Sequence, residues 1–403
     1  MFGGGANSLW QGSAVISRLR GVQVGTTVIS LHKQGGLQYR RFAPSAAVGL
    51  VAVWILVLLV SGCATAPRQD TEPAGLPTGP TNVSVRPWLA PDLAKEVLAL
   101  DPERVSEAQV KEVLSRVPAP RIVNIHGGIY PVHLAMVSFS EFLAGMGYPR
   151  SKIARPGDGA YSFSCYESSR KIAGAIAWYY EHEGMRPMIV GHSQGGMQAV
   201  KVLYQLAGLY REKVPVWNPL TGRTEKRYEI HDPFTGRLRP VVGVQVCYTT
   251  AVGAGGLTRF LPNQWDMAGR LRGIPDSTEE FTGFYMGLDF FGGDLLGFGG
   301  ANAYRALGRA RVRNVQLPTG YDHVTVPAAR HLLESQAIKD WINDYQPTDK
   351  PRRDTRLEGN TAHILWAADV WHSIKKHWVL EAQRWAQASA RETNAMMTSG
   401  QDR

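Results

Sequence analysis

The sequence predicts an α/β fold in which a mostly parallel central sheet carries helices on both faces. Short apolar runs rich in β-branched residues, typical of buried strands, recur along the chain. Runs with helical periodicity separate them, and this alternation favours parallel pairing because each helix returns the chain to the starting edge of the sheet. A hydrophobic content of 44% and a charged content of 19% are typical of a globular protein.

The predicted elements follow one another in chain order. Ser106 and Gln109 form a capping-box pattern before a short helix that ends near Arg116. The strands of the sheet are predicted at residues 121–125, 188–190, 241–246, 281–286 and 312–316. Further helices are predicted at residues 134–145, 166–183 and 197–207, and between His323 and Trp341.

Residues 214–240 interrupt this alternation, and we interpret them as an inserted β-ribbon. Two near repeats, 218–223 and 232–237, begin with Asn-Pro or Asp-Pro and contain Thr-Gly-Arg. These residue types are typical of short hairpin loops. The ribbon is expected to be either a solvent-exposed excursion or a lid or wall over a ligand pocket.

A second addition is a helix predicted near the C-terminal end, over residues 361–391. Ile364, Trp371, Trp378 and Trp385 recur every seven residues and therefore line one stripe. Such a stripe is expected to pack against the domain. The alternative is a face that meets a membrane interface or a partner, since tryptophan suits such boundaries.

The net charge of +10 is concentrated near the start of the chain. Residues 1–62 hold five basic side chains and no acidic one, which leaves 39 basic against 34 acidic residues in the remainder. No dense basic block occurs there, so no nucleic-acid partner is expected. Cys-x-x-Cys pairs, zinc-binding helix motifs and the glycine-rich loops of nucleotide sites are also missing from the sequence, so we expect no metal and no cofactor.

An export signal is predicted at residues 43–60, which are uncharged and apolar and follow Arg40 and Arg41. The segment ends in Val-Ser-Gly-Cys, which resembles the bacterial lipobox. This resemblance implies that Cys63 is lipidated and becomes the mature N-terminus. By the same analogy, Ala64 rather than aspartate favours the periplasmic face of the outer membrane. The alternatives for the apolar segment are an uncleaved signal anchor and a buried core helix.

These patterns divide the chain into four parts. They are an N-terminal extension with the signal peptide (1–62), a Pro/Thr-rich tether (63–87), an α/β domain (88–346), and a linker with the C-terminal helix (347–403). Residues 1–36 fit poorly before a signal peptide, so we expect translation to begin nearer Val28 or Leu37. Outside the cytoplasm Cys165 and Cys247 could pair. The position of Cys247 at the end of a core strand favours a buried free thiol instead.

The most informative motif is the hexapeptide Gly-His-Ser-Gln-Gly-Gly at residues 191–196, directly after the strand at 188–190. A serine hydroxyl is a weak nucleophile unless it stands clear of its neighbours and meets a base. In a G-x-S-x-G turn between a strand and a helix, Ser193 would stand at the tip. Gly191 and Gly195 would let the strand and the helix approach closely. The motif therefore predicts Ser193 as a nucleophile.

Two further motifs accompany this turn. His-Gly-Gly at 126–128 follows the strand at 121–125, and Asp322-His323 follows the last predicted strand. In this order and spacing, residues 120–345 resemble the α/β-hydrolase superfamily, and its lipase and esterase branch in particular. The strands that this family would place before residue 120 are not evident.

The resemblance implies the other parts of a serine-hydrolase site. The family's order of nucleophile, acid and base places the base after Ser193, and His323 is the candidate because it lies in the loop after the last strand. The other histidines after Ser193 lie in the ribbon or in predicted helices: His231, His331, His363, His372 and His377. The backbone N–H groups of Gly128 (or Ile129) and Gln194 would form the oxyanion hole.

The acid that would orient His323 is left open. It should follow the penultimate strand, at 281–286. Asp289 lies at the end of this strand and Asp294 follows a glycine pair, so both are candidates, and an acid elsewhere is the third possibility. Asp322 is poorly placed to reach round to the ring nitrogen of its neighbour.

We therefore expect a serine-dependent carboxylic-ester hydrolase, lipase-like or esterase-like, which acts on an ester or lipid substrate at the cell envelope through an acyl-enzyme. A peptidase or acyltransferase of the same fold is one alternative, because function depends on the pocket rather than the scaffold. The other alternative is a catalytically silent envelope scaffold or a lipid-binding protein built on this fold.

Overall fold

A computed structural model of the chain describes residues 88–256, 262–289, 291–292 and 302–401. The predictions made for the N-terminal extension, the translation start, the signal segment, Cys63, the tether and Asp294 lie outside these described residues. The remaining predictions concern the part of the chain from residue 88 onwards.

The largest sheet has six strands, and all neighbouring strands in it are parallel. The strands in chain order are β1 Ile122–His126, β2 Phe163–Ser164, β3 Met188–His192, β4 Trp217–Asn218, β5 Arg223–Thr224, β6 Glu229–His231, β7 Leu238–Pro240, β8 Val246–Val252, β9 Gly273–Ile274, β10 Thr278–Met286, β11 Arg305–Ala306 and β12 Arg311–Leu317. The central sheet has the order β12-β10-β8-β3-β1-β2, and β9 and β11 form a separate parallel pair.

Helices cover both faces of this sheet. They are α1 Pro91–Leu98, α2 Glu107–Glu112, α3 Tyr130–Gly145, α4 Ser169–Glu183, α5 Gln194–Leu206, α6 Gln336–Asp344 and α7 Ile364–Gln401. Because side chains alternate along a strand, neighbouring strand residues enter different cores. Ile122 and Met188 pack with α3 and α7, whereas Val123 and Ile189 pack with α4 and α5. The predicted α/β architecture, with a parallel sheet between helices, is confirmed.

Four of the five predicted sheet strands overlap β1, β3, β10 and β12. The strand predicted at 241–246 is wrong, because the observed strand, β8, begins only at Val246. Gly243 has a φ of 97° and turns the chain just before it. The sequence obscures β8 because Thr249 and Thr250 interrupt its apolar run, although their buried hydroxyls form hydrogen bonds within the sheet.

Residues 214–240 form two short antiparallel hairpins, β4-β5 and β6-β7, rather than one ribbon. The two near repeats are their turns, as predicted. Gly222 and Gly236 have φ values of 67° and 65°, which favour glycine. The side chains of Asn218 and Asp232 each accept hydrogen bonds from two backbone N–H groups of their own turn.

Both hairpins pack against α4. Val216 and Ile230 are completely buried in the core on that face of the sheet. The guanidinium of Arg227 donates to both carboxylate oxygens of Glu181, at 2.7 and 2.6 Å. Among the described residues, no hydrogen bond or ion pair joins the hairpins to Ser193. The contacts therefore describe a cover over α4 and contradict a solvent-exposed excursion, whereas a lid or wall over a ligand pocket stays a prediction.

The C-terminal helix α7 belongs to the core. Its four stripe residues, Ile364, Trp371, Trp378 and Trp385, are at most 2% exposed. The packing interpretation of the stripe is therefore confirmed, and these tryptophans are not available to a membrane or a partner. The helix begins at Ile364, close to the predicted start, and extends to Gln401.

Two buried charges on α7, those of Asp369 and Lys375, have partners. Asp369 is bound by the guanidinium of Arg313. Lys375 donates to the carbonyl oxygens of Val105 and Asn343, at 2.6 and 2.9 Å. Burial lowers the pKa of Lys375 to about 8, because the ammonium loses its hydration. These contacts bind the helix to the segments on either side of it.

The capping box at Ser106 and the helix before Trp341 are both predicted from the sequence, and the structure shows the first intact and the second divided. The capping box is present, since Ser106 accepts from the Gln109 N–H and the Gln109 side chain accepts from the Ser106 N–H. The single helix expected before Trp341 is divided into a 3₁₀ segment, Arg330–Glu334, and α6. The division occurs at Ser335, whose hydroxyl caps α6 by accepting from a backbone N–H.

None of the helices among the described residues is long and apolar enough to cross a membrane. None of the histidine, cysteine and acidic side chains in this part of the chain forms a group of three or more that could hold a metal ion. Cys165 and Cys247 are buried free thiols, so no disulfide joins them.

Candidate active site

Ser193 lies at a strained turn. Strand β3 ends directly before it and α5 begins directly after it. Its φ of 57° and ψ of −129° lie outside the regions that residues with a Cβ normally adopt. A Cβ at Gly191 would lie 2.6 Å from the Cα of Gly196, and one at Gly195 would lie 2.7 Å from the carbonyl carbon of Ile125. The glycines are therefore required by the close approach of strand and helix.

The Ser193 hydroxyl, the His323 imidazole and the Asp289 carboxylate form one hydrogen-bonded series. Ser193 Oγ lies 2.8 Å from His323 Nε2, and Asp289 Oδ2 lies 2.9 Å from His323 Nδ1. With a neutral imidazole, Nδ1–H donates to the carboxylate and Nε2 accepts the hydroxyl proton. The side chains of His323 and Asp289 are only 9% and 4% exposed. Water therefore competes little for these bonds.

The three side chains come from loops after three different strands. Ser193 follows β3, Asp289 follows β10, and His323 follows β12. The carboxyl ends of parallel strands share one edge of the sheet, so these loops meet there. Leu288, directly before Asp289, has a φ of 62° and is a second strained residue. The Gly292 N–H donates to Asp289 Oδ1 at 2.8 Å and so helps to orient the carboxylate.

Gly253 and Asp322 explain why Asp289 is the acid that meets the imidazole. Gly253, with a φ of 54°, follows β8, and a Cβ there would lie 2.9 Å from His323 Nδ1 and 3.1 Å from Asp289 Oδ2. The absence of a side chain at this position leaves room for the pair. Asp322 instead accepts from the two backbone N–H groups that follow His323, as expected for a residue that does not reach the ring.

His192 is a site residue that the sequence did not identify. It is completely buried, and its Nε2 lies 2.6 Å from the backbone carbonyl oxygen of His323, to which it donates. Burial, and next the proximity of His323, lower the pKa of His192 to about 3, so the ring is neutral at ordinary pH. Its place directly before Ser193 in the hexapeptide was the available signal.

The His-Gly-Gly turn lies against Ser193 and the start of α5. A Cβ at Gly127 would lie 3.1 Å from Ser193 Oγ, and one at Gly128 would lie 2.8 Å from Gln194 Oε1. The Tyr166 hydroxyl donates to the Gly128 carbonyl oxygen at 3.2 Å and so helps to orient that peptide. Within the described part of the chain, neither the Gly128 N–H nor the Gln194 N–H donates to another protein group. Gln194 also lies at the positive end of the α5 dipole.

Two histidines beside this turn carry no charge near pH 7. The rings of His126 and His133 meet edge to face, with centroids 4.7 Å apart. His126 Nδ1 lies 2.8 Å from the Gly127 carbonyl oxygen, to which it donates. Burial lowers the pKa of both histidines below its ordinary value. Two aromatic imidazole rings therefore lie beside the turn.

Exposed apolar side chains lie near the site. Tyr130, Tyr166, Leu288 and Phe291 are each at least half exposed. Tyr166 contacts the His-Gly-Gly turn, and Leu288 and Phe291 flank Asp289 in sequence. The ring of Phe291 has its centroid 5.4 Å from that of His323. These side chains are therefore exposed apolar surface close to the His-Gly-Gly turn and to the His323–Asp289 pair.

The other candidates from the sequence are Ile129, which stays an alternative to Gly128 in the oxyanion hole, and five histidines. Ile129 precedes α3 with extended backbone, at a φ of −125°. The remaining histidines each meet a group elsewhere in the fold: His231 the Gly236 carbonyl, His331 the Ala362 carbonyl, His363 the Thr325 hydroxyl, His372 the Glu103 carbonyl and His377 the Ser373 carbonyl. Among the histidines considered for the base, the structure thus places His323 beside the hydroxyl.

Comparison of the chain with protein-family models, with curated proteins and with solved structures finds no match. The geometry of the site therefore carries the functional conclusion.

Proposed function

We propose that the chain is a serine-dependent carboxylic-ester hydrolase with an α/β-hydrolase fold. The observation that carries the proposal is the hydrogen-bonded series of Ser193, His323 and Asp289, with distances of 2.8 and 2.9 Å. The chain order of nucleophile, acid and base is the order used by that family. The strained backbone of Ser193 at a strand-to-helix turn supports the same assignment.

In the proposed reaction, Ser193 Oγ attacks the ester carbonyl carbon while His323 Nε2 takes the hydroxyl proton. Asp289 holds the required tautomer and stabilises the imidazolium. The N–H groups of Gly128 and Gln194 stabilise the negative charge that develops on the carbonyl oxygen. Breakage of the ester C–O bond releases the alcohol, which receives the proton from His323.

The second half of the reaction regenerates the enzyme. A water molecule gives a proton to His323 and attacks the acyl group on Ser193. Collapse of this intermediate releases the carboxylic acid and returns the proton to the serine oxygen. Protons and bonds balance over the cycle, and no cofactor enters it.

The surroundings of the site favour esters with an apolar acyl group. The exposed side chains of Tyr130, Tyr166, Leu288 and Phe291 offer apolar contacts near the hydroxyl. A hydrocarbon chain would bury part of this surface, with a gain of roughly 0.8 kcal/mol per CH₂ group. We therefore include lipids among the candidate substrates.

The proposal also includes attachment to the cell envelope through lipid on Cys63, as the lipobox resemblance implies. Acyl labelling of the full chain in a bacterial host tests this part separately from catalysis. The native chain should carry the label and the Cys63→Ser variant should not. Label that persists in the variant would rule out this anchor.

The catalytic proposal is tested by hydrolysis of p-nitrophenyl esters from acetate to palmitate, with the full chain in detergent micelles. Ser193→Ala should lower turnover at least a thousandfold, because the nucleophile is removed. Ser115→Ala is the matched control, because Ser115 is exposed and distant in sequence from Ser193, and it should leave turnover unchanged. Equal rates in the native chain and Ser193→Ala would contradict the proposal.

A further inference from the structure

A cavity of about 350 Å³ lies at the edge of the sheet opposite to Ser193. Arg186 precedes β3, Gln245 precedes β8, Asp276 precedes β10 and Arg309 precedes β12, and all four line the cavity. Because these strands are parallel, their amino ends share one edge. A strand of the length of β8 spans roughly 20 Å, so the cavity is separate from the hydroxyl at the carboxyl edge.

Four arginines from separate elements converge on this cavity. They are Arg186 before β3, Arg239 in β7, Arg309 before β12 and Arg384 in α7. A guanidinium presents planar N–H groups that match the oxygens of phosphate and carboxylate groups. The hydroxyl of Tyr180 also lines the cavity and accepts from Arg384 at 3.0 Å. The lining is therefore rich in donors.

Each of these arginines has a carboxylate partner, but among these carboxylates only Asp276 lines the cavity. Glu381, which is 1% exposed, binds both Arg186 and Arg384. Asp232 binds Arg239, which also donates to a backbone carbonyl. Neither carboxylate lines the cavity. These two carboxylates thus orient the guanidinium groups from outside the cavity, and the arginines give the cavity lining a positive charge.

The acidic residue in the lining is already engaged. Asp276 Oδ1 accepts from the backbone N–H groups of Arg309 and Ala310, the second at 2.9 Å. The Arg309 side chain is 96% exposed, and its Nε lies 4.0 Å from Asp276 Oδ2. Glu279, nearby, is shared between Arg186 and Arg311. The Arg309 guanidinium is therefore the one most able to turn towards a ligand.

We propose that this cavity binds a small anion that carries two or more phosphate charges, such as a diphosphate group. The volume lies within the range of ligand sites in proteins. Arg239 and Arg309 would contact the anion from two sides. The guanidinium groups of Arg186 and Arg384, fixed by their ion pairs, would add positive charge to the cavity wall. The phosphate group could belong to a soluble molecule or to a lipid headgroup. The site is independent of the proposed ester hydrolysis.

Inorganic pyrophosphate is the probe, titrated by calorimetry into the full chain in neutral detergent at 0.15 M salt. We expect saturable binding at one site, weakened at least tenfold in the double variant Arg239→Gln/Arg309→Gln. Arg223→Gln/Arg237→Gln, which removes two exposed arginines from the hairpin turns, is the control of equal charge and should bind like the native chain. Ser193→Ala should also bind normally, so this test is separate from that of catalysis.

Two outcomes would overturn the proposal. One is no saturable heat with the native chain, and the other is an equal loss of affinity in both double variants, which would indicate diffuse surface charge. Vesicles that contain cardiolipin, whose headgroup carries two phosphate charges, identify the source of the phosphate. Displacement of pyrophosphate by these vesicles supports a lipid headgroup, and retention of pyrophosphate supports a soluble ligand.

Discussion

The two edges of the central sheet use polar residues in opposite ways. At the carboxyl edge, a hydroxyl, a neutral imidazole and a carboxylate share one series of hydrogen bonds. Four non-glycine residues with positive φ occur in the described part of the chain, and two of them, Ser193 and Leu288, lie at this edge. The backbone is strained where the chemistry is proposed.

At the amino edge, ionised side chains form hydrogen bonds and ion pairs with one another. Arg186 donates at 2.8 Å to each of Glu381, Gln245 and Glu279. Here arginines and carboxylates form ion pairs, and the lining of the cavity holds four arginines and one aspartate. The difference teaches that burial and polarity do not by themselves make a reactive site. The proposed reaction needs a transferable proton between a nucleophile and a base, and at the carboxyl edge Ser193 Oγ lies 2.8 Å from His323 Nε2.

The largest effect should come from the acid at the carboxyl edge. Asp289→Asn should lower kcat by about 10⁴-fold, because an amide cannot hold the imidazole tautomer that accepts the serine proton. Asp322→Asn is the matched control and should change kcat only slightly, since its side chain serves the turn after the histidine. Ester hydrolysis by both variants, with unfolding curves, checks the prediction. Similar losses in the two variants would contradict it.

The next effect should appear at the amino edge and should concern stability. Glu381→Gln leaves Arg186 and Arg384 without their shared buried carboxylate, which should lower the free energy of unfolding by about 3–5 kcal/mol. Glu112→Gln, at an exposed glutamate, should have almost no effect. Denaturant titration measures both. Turnover per folded molecule should stay unchanged, and its selective loss would show that the two edges are coupled.

A smaller effect should come from His192, which we assign as a positioning residue for the base. His192→Leu removes the hydrogen bond to the His323 carbonyl and should lower kcat about 10- to 100-fold with little change in KM. His192→Gln retains an N–H donor and should restore most of the activity. Steady-state kinetics of both variants decide the matter. Equal losses in the two would indicate a packing role instead.

The smallest effect is a pH dependence of stability. The pKa of His192 is lowered from 6.5 to about 3, so below pH 6.5 the unfolded chain binds a proton that the folded chain excludes. The contribution is complete above pH 6.5 and is lost as the pH falls towards 3. Between pH 7 and 5 the native chain should lose about 2 kcal/mol more stability than His192→Gln. Equal losses in the two proteins would contradict the assignment.

Local motifs predicted the parts of the site that depend on neighbouring residues. The hexapeptide and the loop after the last strand were enough to select Ser193 and His323, which the fold brings within 2.8 Å of each other. The choice between Asp289 and Asp294 required the path of the loop, because both follow the same strand. Asp289 meets the imidazole, and Asp294 lies outside the described residues.

Long-range packing supplied what the sequence could not show. The bond from His192 to the His323 carbonyl joins residues 131 positions apart, and the space beside Gly253 matters only once the loops have met. The arginine cavity likewise combines β7, α7 and the segments before four strands of the sheet. The sequence predicts a strand at 241–246, before the observed β8, because buried threonines cannot be distinguished from exposed ones in the sequence. Periodicity identifies an element and its buried face, but not its tertiary neighbours.

The central claim is that Ser193 is an activated nucleophile, and covalent labelling tests it without knowledge of the natural substrate. The full chain would be treated with a fluorophosphonate at pH 7 and 8, digested, and its adduct located by mass spectrometry. We predict one adduct on Ser193, absent from Ser193→Ala and formed much more slowly in Asp289→Asn. An unlabelled native chain, or an adduct on a different serine, would contradict the claim.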